Sequence, residues 1–98
     1  MPSKESRKFK VSIILPNYNS SNYISQTIKS VLNQTYKNWE MIIVDDVSKD
    51  KSIDIITSVC KQDARSQLHQ LPKNSGAAIA RNKAISLTNN TITGTLTE

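Results

Sequence analysis

Glycine is scarce in this sequence, and features that mark several common classes of protein are missing as well. The 98 residues include 2 glycines, so counting alone excludes a glycine-rich phosphate-binding loop. No apolar run approaches the roughly 18 residues of a membrane span, and the segment MPSKESRKFK lacks the apolar stretch of a secretory signal. The single cysteine, Cys60, excludes an internal disulfide and falls in an apolar helical stripe, where we expect a core thiol. These observations predict a cytoplasmic protein.

Acidic residues are outnumbered by basic ones, and the net charge of +5 indicates anionic partners. Much of the excess comes from Lys4, Arg7, Lys8 and Lys10. We interpret residues 1–9 as a disordered basic leader ahead of a domain over residues 10–98. The leader leaves peripheral association with the inner face of a membrane open. Nucleic-acid binding is not expected, because no recognition helix or interleaving of aromatic and basic residues is evident.

Strand-like and helix-like patterns alternate along the rest of the chain. Short β-branched or alternating runs predict strands over residues 11–15, 39–44 and, more weakly, 67–71. Apolar residues at helical spacing predict three helices. One covers residues 22–33, one follows an N-cap at Asp50, and one covers residues 76–87. The last ten residues, NNTITGTLTE, have strand-like composition but no obvious apolar face, so a short fourth strand and an irregular end are both open.

This alternation predicts an α/β fold, a Rossmann-like three-layer parallel sheet with the order β-α-β-α-β-α and, if the end is a strand, a fourth C-terminal strand. Sheets of this kind bind ligands beyond the carboxyl ends of their strands. The polar segments PNYNS, DDVSKD and PKNSG follow the predicted strands. We therefore expect all three segments to lie at one edge of the sheet.

Two carboxylates, Asp45 and Asp46, end the second predicted strand. Because strand side chains alternate, one of them can hold the loop while the other faces the crevice. A carboxylate facing the crevice can accept a hydrogen bond from uracil N3–H or from a ribose hydroxyl. The alternative is an acidic helix-capping loop with no ligand.

Other residues near the same edge suit a nucleotide. Tyr18 follows the first strand, where an aromatic ring can pack on a base, and Pro16 fixes the backbone beside it. Arg81 lies on the third helix and can reach a diphosphate, with the amides of Ser75 and Gly76 as further donors at the helix N-terminus. Ordinary loop packing for the tyrosine and a surface position for the arginine are the alternatives.

The stretches VSIILPNYN, YISQTIKSVLNQTYKNWEMIIVDDVSKDKS and KNSGAAIARNKAI closely resemble the start of family-two glycosyltransferases, which have the GT-A fold. The resemblance covers about residues 10–85. It implies transfer of a sugar from a nucleotide-sugar, usually a UDP-sugar, to an acceptor hydroxyl with inversion. It also implies nucleotide-binding roles for particular residues, with the base against Pro16, Tyr18 and Asn19, the pyrimidine at Asp46 in a pocket shaped by Asp45, and the pyrophosphate beside Arg81.

The sequence departs from the family pattern at two places. Val47 stands where the family commonly has glycine, and a β-branched residue should resist a positive φ there. Full-length members of the family bind a divalent metal, Mn or Mg, through a D-x-D motif, but the matching window TITGTLTE holds only Glu98. We therefore assign no metal ligand and no catalytic residue, and we expect His69 to be incidental.

These departures predict a donor-binding half of a glycosyltransferase, truncated before the D-x-D motif and inactive as a fragment. Its partners would be a nucleotide-sugar and either the missing C-terminal half or further copies of the chain. The alternative is a non-catalytic module that uses the same fold to bind a nucleotide or a protein. A phosphoacceptor receiver domain does not fit, because the first strand ends in PNYN and not in an acidic pair.

Overall fold

A computed structural model describes residues 10–88 and 92–95. Strands and helices alternate along these residues: β1 (Val11–Asn17), α1 (Ile24–Asn33), β2 (Trp39–Asp45), α2 (Ser52–Gln62), β3 (Ser66–Gln70), α3 (Ala77–Ser86) and β4 (Ile92–Thr95). The predicted order of elements is confirmed, and residues 92–95 form the fourth strand. The predicted leader at 1–9 lies outside the described residues.

The strands form one parallel sheet in the order β3-β2-β1-β4. The chain extends the sheet from β1 through β2 to β3 on one side, and β4 then pairs on the other side of β1. Asn17 and Asp45 are partners in the register of β1 and β2. The polar segments after these two strands are therefore neighbours at the carboxyl edge of the sheet, next to the point where the strand order reverses.

Helices cover both faces of the sheet, which confirms the predicted three layers. On one face the larger apolar cluster joins the strands to α1 and α2; its buried members are Leu15, Ile24, Ile28, Val31, Trp39, Met41, Ile43 and Ile56. On the other face α3 packs through Ala80 and Ala84 against Ile14, Ile42 and Val44. Small residues on α3 let that helix lie close to the strands, which brings its N-terminus beside the carboxyl ends of β1 and β2.

All three described helices begin one or two residues later than the sequence predicts, α3 at Ala77 and not at residue 76. Helix α1 begins at Ile24 and not at residue 22, because Tyr23 has a φ of −140°, outside the helical range. The Ser20 hydroxyl does not cap this helix; it donates to Asn17. Helix α2 begins at Ser52, and the Asp50 carboxylate accepts the Ser52 amide at 3.0 Å. The N-cap residue is therefore Lys51 and not Asp50 as predicted, although the Asp50 carboxylate still accepts the first amide of the helix from one residue further back.

The three described helices differ in how much of their surface is buried. Helix α3 is buried only along Ala80 and Ala84, while its Ile79 and Ile85 are half exposed. Neither this helix nor the other two in the described part of the chain is long and apolar enough to cross a bilayer.

Cys60 on α2 packs against the larger apolar cluster. Burial, together with the nearby charge of Asp63, raises the pKa of its thiol.

Candidate functional site

A cleft of about 340 Å³ opens at the carboxyl edge of the sheet. The end of β1, the end of β2 and the first turns of α3 form its walls. The residues that line it are Pro16, Asn17, Tyr18, Tyr23, Asp46, Asn74, Gly76, Ala77, Ala80 and Arg81. Five of the residues singled out from the sequence therefore share one cleft: Pro16, Tyr18, Asp46, Gly76 and Arg81.

Asp46 is the acidic residue of this cleft, and it is almost completely buried. Its Oδ1 accepts the Ser75 amide at 2.6 Å, and its Oδ2 accepts the Gly76 amide at 2.8 Å and the Asn74 side-chain amide at 3.1 Å. Asn74 also donates to the Asp46 carbonyl at 2.9 Å. A carboxylate has about four acceptor positions, so Oδ1, with one bond, retains capacity for a ligand donor.

These bonds correct one expectation about α3. The sequence suggests the Ser75 and Gly76 amides as donors to a diphosphate, but both amides donate to the Asp46 carboxylate. Gly76 lines the cleft with a φ of +96°, a conformation that L side chains rarely adopt. Asp46 therefore fixes the turn that leads into α3 and sets where that helix begins.

Asp45 faces away from the cleft and is fully buried. Its Oδ1 accepts the Asn17 side-chain amide at 2.9 Å and the Ser48 hydroxyl at 2.5 Å, and its Oδ2 accepts the Ser48 amide at 2.8 Å. The acidic pair thus divides as strand alternation predicts, with one carboxylate holding the loop and the other lining the cleft. A buried carboxylate with this many donors is well compensated for its loss of hydration.

Asn19 is not among the residues that line the cleft. Its backbone amide donates to the Ser48 hydroxyl at 2.8 Å, and its side-chain Oδ1 accepts the Lys49 amide at 2.8 Å. Asn19 has a φ of +47°, which asparagine tolerates better than most residues. The residue joins the loop after β1 to the loop after β2.

Val47 overturns an expectation from the sequence. A valine was expected to resist a positive φ at the position where the family commonly has glycine, yet Val47 has a φ of +64°. The residues on either side hold it there: the Asp46 amide donates to the Asn17 carbonyl at 2.8 Å, and the Ser48 amide donates to Asp45. The loop therefore keeps the glycine geometry at the cost of backbone strain in a β-branched residue.

Asp50 extends the same network from the loop to two helices. Its Oδ1 accepts the Ser52 hydroxyl at 2.6 Å, and its Oδ2 accepts the Ser21 amide at 2.9 Å. The hydrogen bond from the Ser52 hydroxyl is the largest of the contributions that hold the pKa of Asp50 well below its usual range. Asp50 is therefore charged at any physiological pH and ties the start of α2 to the loop before α1.

Aromatic and basic side chains surround the opening of the cleft. Tyr18 is 50% exposed and Tyr23 is 38% exposed, so both rings are available to a ligand. Arg81 is exposed on α3, one turn beyond the start of that helix. Its guanidinium is always charged and can pair with two oxygens of a phosphate at once.

His69 and the described acidic residues do not form a metal centre. The His69 ring contacts the Gln67 side chain at 2.6 Å on β3 and is not part of the cleft. Across residues 10–88 and 92–95, no group of three or more histidine, cysteine or acidic side chains could hold a metal ion. Glu98, the acidic residue in the D-x-D window, lies outside the described residues.

The sequence analysis assigned no ligand role to Asn17, Tyr23, Asn74 and Ala77, which also line the cleft. Two of them lie in segments that the sequence places at this edge of the sheet: Asn17 in PNYNS and Asn74 in PKNSG. Tyr23 reads in the sequence as the start of a helix, and only the register of that helix turns it toward the cleft.

The sequence model of the family 'Glycosyl transferase family 2' matches residues 12–97, nearly the whole chain. The chain belongs to this family. The resemblance seen in the sequence is thereby confirmed, and the partial Rossmann-like sheet is the N-terminal part of the family's GT-A fold.

A protein of Bacillus subtilis (strain 168), the glycosyltransferase TuaG, is 52% identical to the chain over 75 residues. That match covers 76% of this chain and 30% of TuaG. The chain therefore spans less than a third of the length of this relative.

Solved structures share the fold. The crystal structure of S. aureus TarS 1-349 in complex with UDP superimposes with a TM-score of 0.83 at 28% identity, and the match covers 90% of this chain and 27% of that one. The mannosyltransferase PcManGT from Pyrobaculum calidifontis, in complex with GDP-Man and Mn²⁺, superimposes with a TM-score of 0.78 at 23% identity over 85% of this chain and 25% of its own. The second likeness shows the fold alone, and its divalent metal is a property of that protein.

Proposed function

We propose that this chain is the donor-binding part of an inverting glycosyltransferase, and that its cleft holds the nucleotide of a UDP-sugar. The observation that carries the proposal is the position of Asp46, buried at the end of β2 and lining a cleft that Tyr18 also lines. The UDP bound to TarS, a protein of the same fold at 28% identity, supports the choice of nucleotide.

The base would be recognised through Asp46. Its carboxylate is held by the Asn74 side chain and by the Ser75 and Gly76 amides, so it cannot rotate freely to meet a ligand. Uracil N3–H is a donor and would occupy the remaining acceptor position on Oδ1. Cytosine has an acceptor at the same ring position, so a fixed carboxylate favours uracil over cytosine.

The planar ring of the base would pack against the aromatic wall. Tyr18 and Tyr23 line the cleft with rings that are partly exposed, and stacking on such rings contributes about 1–3 kcal/mol per base in single-stranded nucleic acid complexes. Pro16, the last residue but one of β1, also lines the cleft.

Arg81 would bind the diphosphate. It lies on the helix side of the cleft, opposite the residues that follow β1. The Ser75 and Gly76 amides are engaged by Asp46, so the guanidinium is the main positive group that the described cleft offers to phosphate oxygens. Its charge would offset that of the diphosphate and orient the sugar away from the base.

The chemical step itself is assigned to no residue of this chain. A divalent ion in the complete enzyme would offset the charge of the leaving diphosphate, but the residues described do not supply a set of ligands for it. Neither the residues that would bind the acceptor nor the base that would deprotonate its hydroxyl is assigned among the described residues. Within this chain, the described residues bind the donor and orient it.

We also propose a cytoplasmic location. The support is the single cysteine, whose thiol is free and partly buried. Association with a membrane surface or with further copies of the chain stays a prediction of the sequence analysis.

Titration of UDP into isotopically labelled protein tests the nucleotide site directly. We expect saturable amide shifts at Tyr18, Asp46 and Arg81, and we expect Asp46→Asn to weaken binding about tenfold or more, because the carboxylate is a charged acceptor. Adding GDP in place of UDP should give weaker binding, since a purine does not match the position of the N3–H donor.

The matched control is Asp54→Asn, which removes an exposed carboxylate on α2 away from the cleft. It should leave UDP affinity unchanged. A well-folded wild-type sample that shows no saturable shift with UDP would contradict the proposal, and equal losses in the two variants would contradict the role of Asp46.

A further inference from the structure

Tyr18 lies between two asparagines that are both hydrogen-bonded to the neighbouring loop. On one side, the Asn17 side-chain amide donates to Asp45 at 2.9 Å and to the Ser52 hydroxyl at 3.2 Å, and its carbonyl oxygen accepts the Ser20 hydroxyl. Asn17 is almost fully buried, whereas Tyr18 is half exposed. The backbone on the N-terminal side of the ring is therefore fixed.

On the other side, Asn19 bonds to the loop after β2 in both directions. Its amide donates to the Ser48 hydroxyl at 2.8 Å, and its side chain accepts the Lys49 amide at 2.8 Å. The left-handed φ of Asn19, +47°, turns the chain so that both bonds can form. The backbone on the C-terminal side of the ring is fixed as well.

Both sets of bonds lead to one buried carboxylate. The Ser48 hydroxyl accepts from the Asn19 amide and donates to Asp45 Oδ1 at 2.5 Å, and the Asn17 side-chain amide donates to the same Oδ1 at 2.9 Å. The strained Val47, with a φ of +64°, lies between Asp46 and Ser48. The unfavourable backbone conformation of Val47 therefore accompanies a loop in which Ser48 bonds to both Asp45 and Asn19.

We propose that Asn19, Ser48 and Asp45 are positioning residues that hold Tyr18 in place for the nucleotide base and do not themselves contact it. This inference rests on the proposed nucleotide site. A half-exposed tyrosine on a free loop would lose conformational entropy on binding, and a backbone held in advance avoids that loss. The arrangement also explains how Asn19 can matter for binding although it is not among the residues that line the cleft.

Three substitutions at Asn19 separate its contributions. Asn19→Asp keeps both the side-chain acceptor and the tolerance for a positive φ, Asn19→Gly keeps only the tolerance, and Asn19→Ala keeps neither. We expect UDP affinity to fall in the order Asp, Gly, Ala, with Asn19→Asp close to wild type and Asn19→Gly weaker by roughly two- to tenfold.

A double-mutant cycle shows whether the effect passes through Tyr18. In a Tyr18→Ala background, we expect Asn19→Gly to change UDP affinity by less than about twofold, since the ring that it positions is gone. The control is Asn22→Gly, an exposed loop asparagine whose side chain makes no hydrogen bond in the described part of the chain. It should leave affinity unchanged in both backgrounds.

Relaxation of the Tyr18 amide in the free protein provides a readout that does not depend on binding. We expect a rigid order parameter near 0.85 in wild type and in Asn19→Asp, and a clear fall in Asn19→Gly and Ser48→Ala. An unchanged Tyr18 order parameter in both loop variants overturns the inference. So does an Asn19→Gly effect on affinity that is equally large with and without the Tyr18 ring.

The two proposals fail in different ways. If wild-type protein binds no UDP, the proposed function fails, and the relaxation data alone decide whether Asn19 and Ser48 hold Tyr18. If UDP binds but the cycle shows no coupling between positions 18 and 19, the function stands and the positioning role is wrong.

Discussion

The two edges of the sheet differ in how fully their buried polar groups are hydrogen-bonded. At the carboxyl edge, Asp45 and Asp46 are buried, and each accepts three hydrogen bonds from side chains and loop amides. Near the amino edge, the Ser12 hydroxyl donates to the buried Glu40 carboxylate at 2.5 Å, but the Trp39 indole nitrogen and the Ser66 hydroxyl are buried without a partner among the described residues. There Arg65 stacks on Trp39 at 3.8 Å and pairs with Asp63 at 2.7 Å.

The difference shows what each edge contributes. Hydrogen-bond networks impose specific distances and angles, which a binding site needs. Stacking and apolar packing stabilise the fold with looser geometric demands. The hydrogen bonds at the carboxyl edge therefore fix the positions of the residues around the cleft, and the packing at the amino edge stabilises the fold.

The largest expected effect comes from breaking the network at the carboxyl edge. Asp45→Ala removes the buried acceptor of three donors: the Asn17 side-chain amide, the Ser48 backbone amide and the Ser48 hydroxyl. We expect the free energy of unfolding to fall by about 3 kcal/mol. Urea denaturation followed by circular dichroism measures this loss. Asp54→Ala, on an exposed face of α2, should change it by only a few tenths of a kcal/mol, and a similar loss in both variants would remove the special status of the carboxyl edge.

A smaller effect, in the opposite direction, comes from relieving strain at the same edge. Val47→Gly replaces a β-branched residue at a φ of +64° and should raise the free energy of unfolding by about 0.5–1 kcal/mol, since the relieved strain exceeds the entropy cost of glycine. Val47→Ala should give a smaller gain. Denaturation in urea measures both, and a loss of stability in Val47→Gly would show that the valine side chain contributes more through packing than its backbone costs.

The smallest effect concerns the ion pair at the amino edge. The hydrogen bond from Arg65 lowers the pKa of Asp63, so the pair stabilises the fold above the ordinary aspartate value of about 3.9, and this contribution is lost as the pH falls through the lowered pKa. For a surface pair we expect a few tenths of a kcal/mol. Comparing wild type with Asp63→Asn in urea should show a difference at pH 6 that shrinks in acid. A difference that grows as the pH falls would contradict this assignment.

Local patterns predict the fold of this chain well. β-Branched runs and helical spacing locate β1, β2, α1 and α2 to within a few residues, because these elements have apolar faces to bury. The division of labour between Asp45 and Asp46 also follows from strand alternation alone.

The details of the cleft depend on contacts between distant segments and are harder to predict. The bonds of Asp46 to residues 74–76 cross about thirty positions of sequence, and nothing local to either segment marks them. Val47 misleads for a related reason: its intrinsic preference opposes a positive φ, and hydrogen bonds from the adjoining residues override that preference. Asn19 is polar and near the cleft, yet its partners are loop amides that only the folded chain brings close.

The position of Trp39 has a practical consequence for spectroscopy. It is the one tryptophan of the sequence, it is 1% exposed, and it begins the strand that Asp45 ends. Six residue steps along a strand separate the two by about 20 Å. Its emission, shaped by the guanidinium stacked on the indole, should therefore respond to loss of the fold and stay constant when a ligand fills the cleft. One fluorophore can thus report on unfolding during the same titration in which the tyrosines report on binding.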